Sequence, residues 1–147
     1  MRSVSEGFTL LELLVVLFII SLGMALVLPR LTVGWGYAEQ KRFITDFVQT
    51  LRRANTMALN KGKVVVFAID PEARTYGIEG ERRREKIPLE VEIRGEGGAE
   101  LEGQFRLYFY PDGTATGAEL TVSFGRRSWT LRVHPLLGTV RVEEERG

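Results

Sequence analysis

FTLLELLVVLFIISLGMALVL, running from Phe8 to Leu28, is the stretch that decides the fold. As an α-helix at 1.5 Å per residue it rises about 32 Å, the thickness of one hydrocarbon core. It is apolar on every face, which a helix in a globular core rarely is. The spacing predicts a membrane-spanning helix over residues 8–28. An ordinary secretory signal fits less well, because it has a shorter apolar stretch followed by a small-residue cleavage site. Here Pro29, Arg30 and Leu31 follow the run, and the conspicuous small residue, Gly7, stands in front of it.

Glu12 is the one charge inside this run. A carboxylate held deep in a bilayer costs about 2.5–3.5 kcal/mol, and such charges normally have partners and mark function. No Lys or Arg lies nearby in the run. A cut between Gly7 and Phe8 would place a new α-amine on Phe8. Phe8 and Glu12 are i and i+4, on one helix face, and a first-turn carboxylate also suits the helix dipole. The cut would thus supply a cation to neutralise Glu12, in the same chain or on a neighbour.

Glu6-Gly7-Phe8-Thr9-Leu10-Leu11-Glu12-Leu13-Leu14 resembles the class III signal of type IV prepilins and type II secretion pseudopilins. The resemblance implies a prepilin peptidase that cleaves between Gly7 and Phe8 and methylates the new N-terminal Phe8. It implies that Glu12 pairs with a neighbouring N-terminus during assembly, and that Pro29 matches the family's helix-kinking proline. The expected partners are other pilins or pseudopilins in a filament. The expected location is the inner membrane, crossed once, with the remainder on the periplasmic side until the subunit is extracted into a filament.

Beyond the run, Pro29 removes a helical hydrogen bond, and Gly34 and Gly36 weaken helix propensity around Trp35. The helix is therefore expected over residues 8–62 with an interruption near Pro29 to Gly36. Trp35 and Tyr37 suit a membrane–water interface, and packing of Trp35 against protein serves equally well. From Ala38 the pattern turns amphipathic. Phe43, Phe47, Leu51, Ala54 and Ala58 form a stripe, widened by Ile44, Val48 and Leu59. Gly62 reads as a left-handed cap.

Residues 63–147 read as a β-rich head. About seven strands are expected, at 63–69, 75–79, 87–94, 105–110, 120–124, 129–134 and 139–143. The segment 87–94 alternates with period two, and Gly95 to Gly103 reads as a mobile glycine-rich loop. Pro111-Asp112-Gly113 is a turn with Pro placed to fix φ. The fold class is α+β, a long N-terminal helix packed on antiparallel sheet. The division is a leader at 1–7, a helix at 8–62 (transmembrane 8–28, amphipathic about 38–60) and a head at 63–147. The series Leu51-Arg52-Arg53-Ala54, Ala58 to Val64, Phe109 to Gly113 and Gly138 to Val142 is similar to the head of H-type minor pseudopilins and FimT-like minor pilins. That likeness implies a structural subunit.

Composition removes other classes. The chain of 147 residues has no Cys, a single His and a formal charge of +1, so disulfides, thiolate chemistry and zinc sites lack raw material. No P-loop, G-x-S-x-G or H-E-x-x-H is present, and neither an enzymatic activity nor a cofactor is expected. His134 reads as structural or solvent-facing. The pairs and runs Arg52-Arg53, Arg82-Arg83-Arg84 and Arg126-Arg127 read first as solvated faces among many Glu residues. The alternative is DNA contact during uptake, through Arg126 and Arg127. FimT-like pilins bind DNA through a basic C-terminal loop, and Gly125-Arg126-Arg127-Ser128 stands in a comparable place. Ser128 replaces the second spaced Arg of that pattern, and Glu143 to Glu145 would repel phosphate.

Overall fold

A computed structural model describes residues 8–146, with side chains described throughout except at 24–35 and 146. The expected leader, Gly7 included, lies outside the described residues. One helix, α1 (Leu10–Lys61), precedes nine strands among the described residues: β1 (Val65–Asp70), β2 (Thr75–Ile78), β3 (Glu85–Lys86), β4 (Val91–Gly97), β5 (Ala99–Leu101), β6 (Gln104–Phe109), β7 (Ala118–Phe124), β8 (Arg127–Val133) and β9 (Val140–Arg146). The expected interruption of the helix is absent. Its backbone is helical straight through Pro29 and Gly36, since one missing N–H leaves the flanking hydrogen bonds of the ladder in place. The chain divides into two compact units, Met1–Lys41 and Arg42–Gly147.

In the first unit, every side chain described from Phe8 to Gly23 is exposed. The helix starts on Thr9, whose Oγ1 accepts the Glu12 N–H at 3.3 Å and whose carbonyl accepts the Leu13 N–H at 3.2 Å. Within the apolar stretch the Ser21 hydroxyl donates to the Leu17 carbonyl at 2.8 Å, which satisfies it inside the helix. Among the described residues no helix is long and apolar enough to cross a membrane.

In the second unit the remaining turns of α1 lay their apolar stripe into the head. Ile44, Phe47, Val48, Leu51, Ala54 and Ala58 are buried, Phe43 is half-buried and Leu59 is exposed. Phe47 meets Tyr76 at 4.7 Å and Phe67 at 5.4 Å between ring centroids. Phe43 stands edge-on to Tyr76 and to Phe124, both at 5.7 Å, and Phe124 continues to Trp129 at 5.3 Å. These rings tie the helix to two antiparallel sheets. One has the order β3-β2-β1-β6-β5, the other β4-β7-β8-β9. Gly62, at φ 59°, ends the helix as the left-handed cap.

Three strand expectations need correction. Among its described residues the head has nine strands where about seven were expected, because β3 and β5 are too short for a sequence period to show. The strand expected at 87–94 begins only at Val91. Leu89, which the alternation placed inside, is 84% exposed. Pro88 cannot donate to a ladder, and Arg74 takes the local carbonyls instead: its guanidinium donates to the oxygens of Ile87, Pro88 and Val91. The glycine-rich region 95–103 is strand and tight turn, not a loop. Leu101 pairs with Gln104 across Glu102 and Gly103, both at positive φ, the conformation of a two-residue hairpin turn. The ring of Phe105 fills the space a side chain would take at Gly95 and Gly98. A Cβ at those positions would lie 2.5 and 2.6 Å from it.

Candidate functional site: the helix start and the basic hairpin

The residues singled out by sequence fall in two places. Gly7 lies outside the described residues, and Phe8 is the first residue described, 80% exposed. Glu12 is in the first turn of α1. Among the described residues no cation pairs with it. The apolar neighbours Leu11, Leu13 and Leu14 are all exposed, so an uncompensated carboxylate sits in a collar of uncovered hydrocarbon. The arrangement can bind a cation, and none among the described residues occupies that place. Pro29 is within the helix, with its side chain outside those described.

Thr9 was not singled out by sequence, and the signal was there. Thr9-Leu10-Leu11-Glu12 has the capping-box spacing, in which residue and third follower serve the first unsatisfied N–H groups of a helix. The observed half of that box, Thr9 Oγ1 to the Glu12 N–H, fixes where the helix begins and so where Glu12 stands on it.

The second place is the β7–β8 hairpin. Phe124 pairs with Arg127, so the expected four-residue loop is a two-residue turn, Gly125-Arg126, with Gly125 at φ 60°. Arg126 is exposed at its tip, whereas Arg127 and Ser128 are half-buried strand residues. Register places Arg127 opposite Arg146 and Ser128 opposite Glu145. Two arginines and an acidic strand thus meet at one end of this sheet.

The other arginines are mostly committed. Arg53 pairs with Glu81, and Arg83 with Glu85 at 2.7 Å. They flank a polar groove of about 360 Å³ lined also by Arg42, Asp46 and Gly77. Tyr76 is buried, its phenol pushed up by that burial and then by the Glu85 and Asp46 carboxylates. The charges that line the groove alternate in sign. On the outer face of the second sheet Arg132 bridges Glu119 at 2.8 Å and Glu143 at 3.4 Å. Asp112 is a turn residue: its Oδ1 accepts from the Thr114 hydroxyl and N–H, which holds its carboxyl below the usual range. His134 is exposed and its Nδ1 accepts the Leu136 N–H at 3.3 Å. No group of three or more His, Asp or Glu among the described residues is placed to hold a metal.

Comparison with known proteins bears on the N-terminal segment and on the fold. Residues 2–28 match the prokaryotic N-terminal methylation motif. The chain is 27% identical over 139 residues to type II secretion system protein H of Xanthomonas campestris pv. campestris, an alignment covering 92% of this chain and 82% of that protein. Its fold is similar to that of the minor pseudopilin EpsH of the Vibrio cholerae type 2 secretion system. The TM-score is 0.56 at 16% identity, over 70% of this chain and 94% of the other. The type IV minor pilin FimU of Pseudomonas aeruginosa gives a TM-score of 0.52 at 11% identity, over 67% and 88%. The chain therefore carries a prepilin-type methylation motif, and its helix and antiparallel sheets have the pilin-like fold.

Proposed function

We propose that this chain is a structural subunit of a pilin-like filament, a minor pseudopilin of a type II secretion system or a minor pilin of a type IV pilus. A prepilin peptidase cleaves between Gly7 and Phe8 and methylates Phe8. Residues 8–28 hold the subunit in the inner membrane, with the head on the periplasmic side, until it enters the filament. There Glu12 accepts the α-amine of a neighbouring subunit, and the exposed leucines, valines and isoleucines pack on neighbouring helices. The observation that carries this reading is a first-turn carboxylate without a cation among the described residues, set in a helix whose side chains from Phe8 to Gly23 are all uncovered. A carboxylate in hydrocarbon is tolerated when a counter-charge reaches it. Catalysis has no place in this reading.

Two measurements test it. Mass spectrometry of the native protein should give a chain beginning at methylated Phe8; a chain that still begins at Met1 would refute the processing step. Glu12→Ala should leave membrane insertion intact and abolish recovery of the subunit in sheared filaments. Normal recovery would remove Glu12 from assembly.

The alternative is DNA capture during uptake, favoured by the register of Arg127 opposite Arg146 beside the exposed Arg126. Glu144 and Glu145 on the same strand oppose it. Contact through so few phosphates would be weak and strongly salt-dependent. The detergent-solubilised chain would then retard duplex DNA at low salt, and Arg126→Ala with Arg127→Ala would abolish the shift. An unretarded duplex at low salt would dispose of this role.

A further inference from the structure

At the end of the head where α1 stops, four stretches of chain meet. They are the last turn of α1, the residue before β1, the turn after β6 and the β8–β9 connection. The Asn55 amide donates to the Gly138 carbonyl at 3.2 Å, and the Ala115 N–H donates to the Pro135 carbonyl at 2.8 Å. The β8–β9 connection is thereby tied both to α1 and to the turn after β6. Val65 pairs with Phe109, which brings the adjoining Val64 and Tyr110 to the same end. Leu59 flanks the turn, its Cδ2 3.7 Å from where a Cβ on Gly113 would stand.

Leu59, Val64, Tyr110, Leu136 and Leu137 are all exposed there, Leu136 to 73%. The other large apolar side chains that the head exposes among the described residues are Leu89, Leu101 and Val142, and they lie before β4, in β5 and in β9. Single exposed apolar residues are ordinary, whereas a gathered set marks a contact surface. The two leucines sit on a turn closed by its own bonds. The Gly138 N–H donates to the His134 carbonyl and the His134 N–H to the Thr139 carbonyl, both at 2.9 Å.

Cations ring this surface. Lys61 and Lys63 are exposed, and no carboxylate pairs with either among the described residues. Asp112, the acid at this end, is engaged by Thr114. Beside Leu137 opens a cleft of about 660 Å³, lined also by Gly117, Pro135, Thr139 and Arg141. Arg141 stands opposite Arg132 in register, and Glu119 and Glu143 both go to Arg132. Arg141 is left without a paired carboxylate among the described residues.

We infer that this end of the head docks a different protein, through an apolar segment that carries carboxylates. Its apolar side chains lie on Tyr110, Leu136 and Leu137, and its acids meet Lys61, Lys63 and Arg141. Charge complementarity selects the partner. A second copy joined end to end would set lysine against lysine. An anionic bilayer would satisfy the lysines, but its surface leaves the cleft beside Leu137 unfilled, whereas a protein side chain enters it. The contact lies on the head alone and rests neither on Glu12 nor on entry into a filament.

The test uses the full chain in its native cells. With p-benzoylphenylalanine in place of Leu136, irradiation should give one protein adduct; with the same photoprobe in place of Leu101 it should give none. Mass spectrometry should map the adduct to an apolar segment of another protein with Asp or Glu within it. Lys61→Glu with Lys63→Glu should cut the yield by about tenfold, and Leu137→Asp should abolish it, with the denaturant midpoint of the head unmoved in both. Exchanging the acids of the mapped segment for Lys should restore the yield against the Lys61→Glu, Lys63→Glu chain. The N-terminus of the cross-linked chain is read in the same digest, so a fault in processing is told apart from a lack of docking. No protein adduct from position 136, an equal one from position 101, or an adduct to a second copy of this chain would overturn the docking. So would adducts with lipid alone, a yield indifferent to the lysine reversals, or failure of the exchange to restore it.

Discussion

One helix passes through two environments. From Leu10 to Gly23 α1 exposes every side chain, apolar though nearly all of them are. From Arg42 onward the same helix buries Phe47, Leu51, Ala54 and Ala58 completely and turns Arg52 and Arg53 outward. The second stretch draws its stability from the head it packs on, and the first has its side chains uncovered among the described residues. Hydrophobicity alone does not say where a segment is buried; the pattern does. A stripe finds cover within its own domain, and an all-round apolar surface calls for lipid or for other copies.

The sharpest way to break this contrast is to truncate one large side chain in each stretch. Phe47→Ala should cost about 3–5 kcal/mol of head stability, read as a large fall in the denaturant midpoint. Leu14→Ala should leave that midpoint unmoved, since its side chain contacts solvent in the isolated chain. If both variants lost comparable stability, the first stretch would have cover that the structure does not show. Gly95→Ala, next in size, forces a methyl into the Phe105 ring and should cost about 1–3 kcal/mol. The second substitution Phe105→Leu should recover part of the loss if the ring is its cause.

Arg74→Ala leaves the Ile87, Pro88 and Val91 carbonyls without their shared donor. The expected loss is about 1–3 kcal/mol, with faster amide exchange confined to the segment around Ile87 to Val91. Uniformly faster exchange across the head would show instead that Arg74 stabilises the fold as a whole. The smallest effect is with pH. Asp70, through hydrogen bonds from the Ala73 N–H and Gln104, and Asp112, through Thr114, both titrate below the ordinary 3.8. Their contribution is complete above that value and is lost as pH falls through the lower folded values. Head stability should therefore sag below about pH 4, and Asp112→Asn should flatten part of the slope. The Leu14→Ala variant should show the same pH profile as the parent.

The sequence was most legible where a period or a composition repeats. The apolar run, the stripe from Phe43 to Ala58, the Gly62 cap and the Pro111-Asp112-Gly113 turn are local patterns with local causes. Reading failed where a distant residue decides. Ile87 to Glu90 alternates like a strand and is prevented from pairing by Arg74, which arrives from another turn. Gly95 and Gly98 look like loop residues because they lack side chains, yet the space is filled by Phe105 from β6. For the candidate site the position of Glu12 could be read directly, and the Thr9 cap could have been. The hairpin bearing Arg126 came out shorter than expected, because strand register, and not residue type, sets where a turn closes.

That tight Gly125-Arg126 turn also bears on the order in which the head assembles. Closing two residues costs little chain entropy, so β7 and β8 can zip without waiting for anything else. β9 follows across another short connection. β4 is separated from its partner β7 by β5 and β6, which belong to the other sheet, so its docking is the most non-local step of this sheet. The C-terminal meander is thus the natural seed of its sheet. Synthesis delivers that seed last, and the preceding strands must stay unaggregated until it arrives.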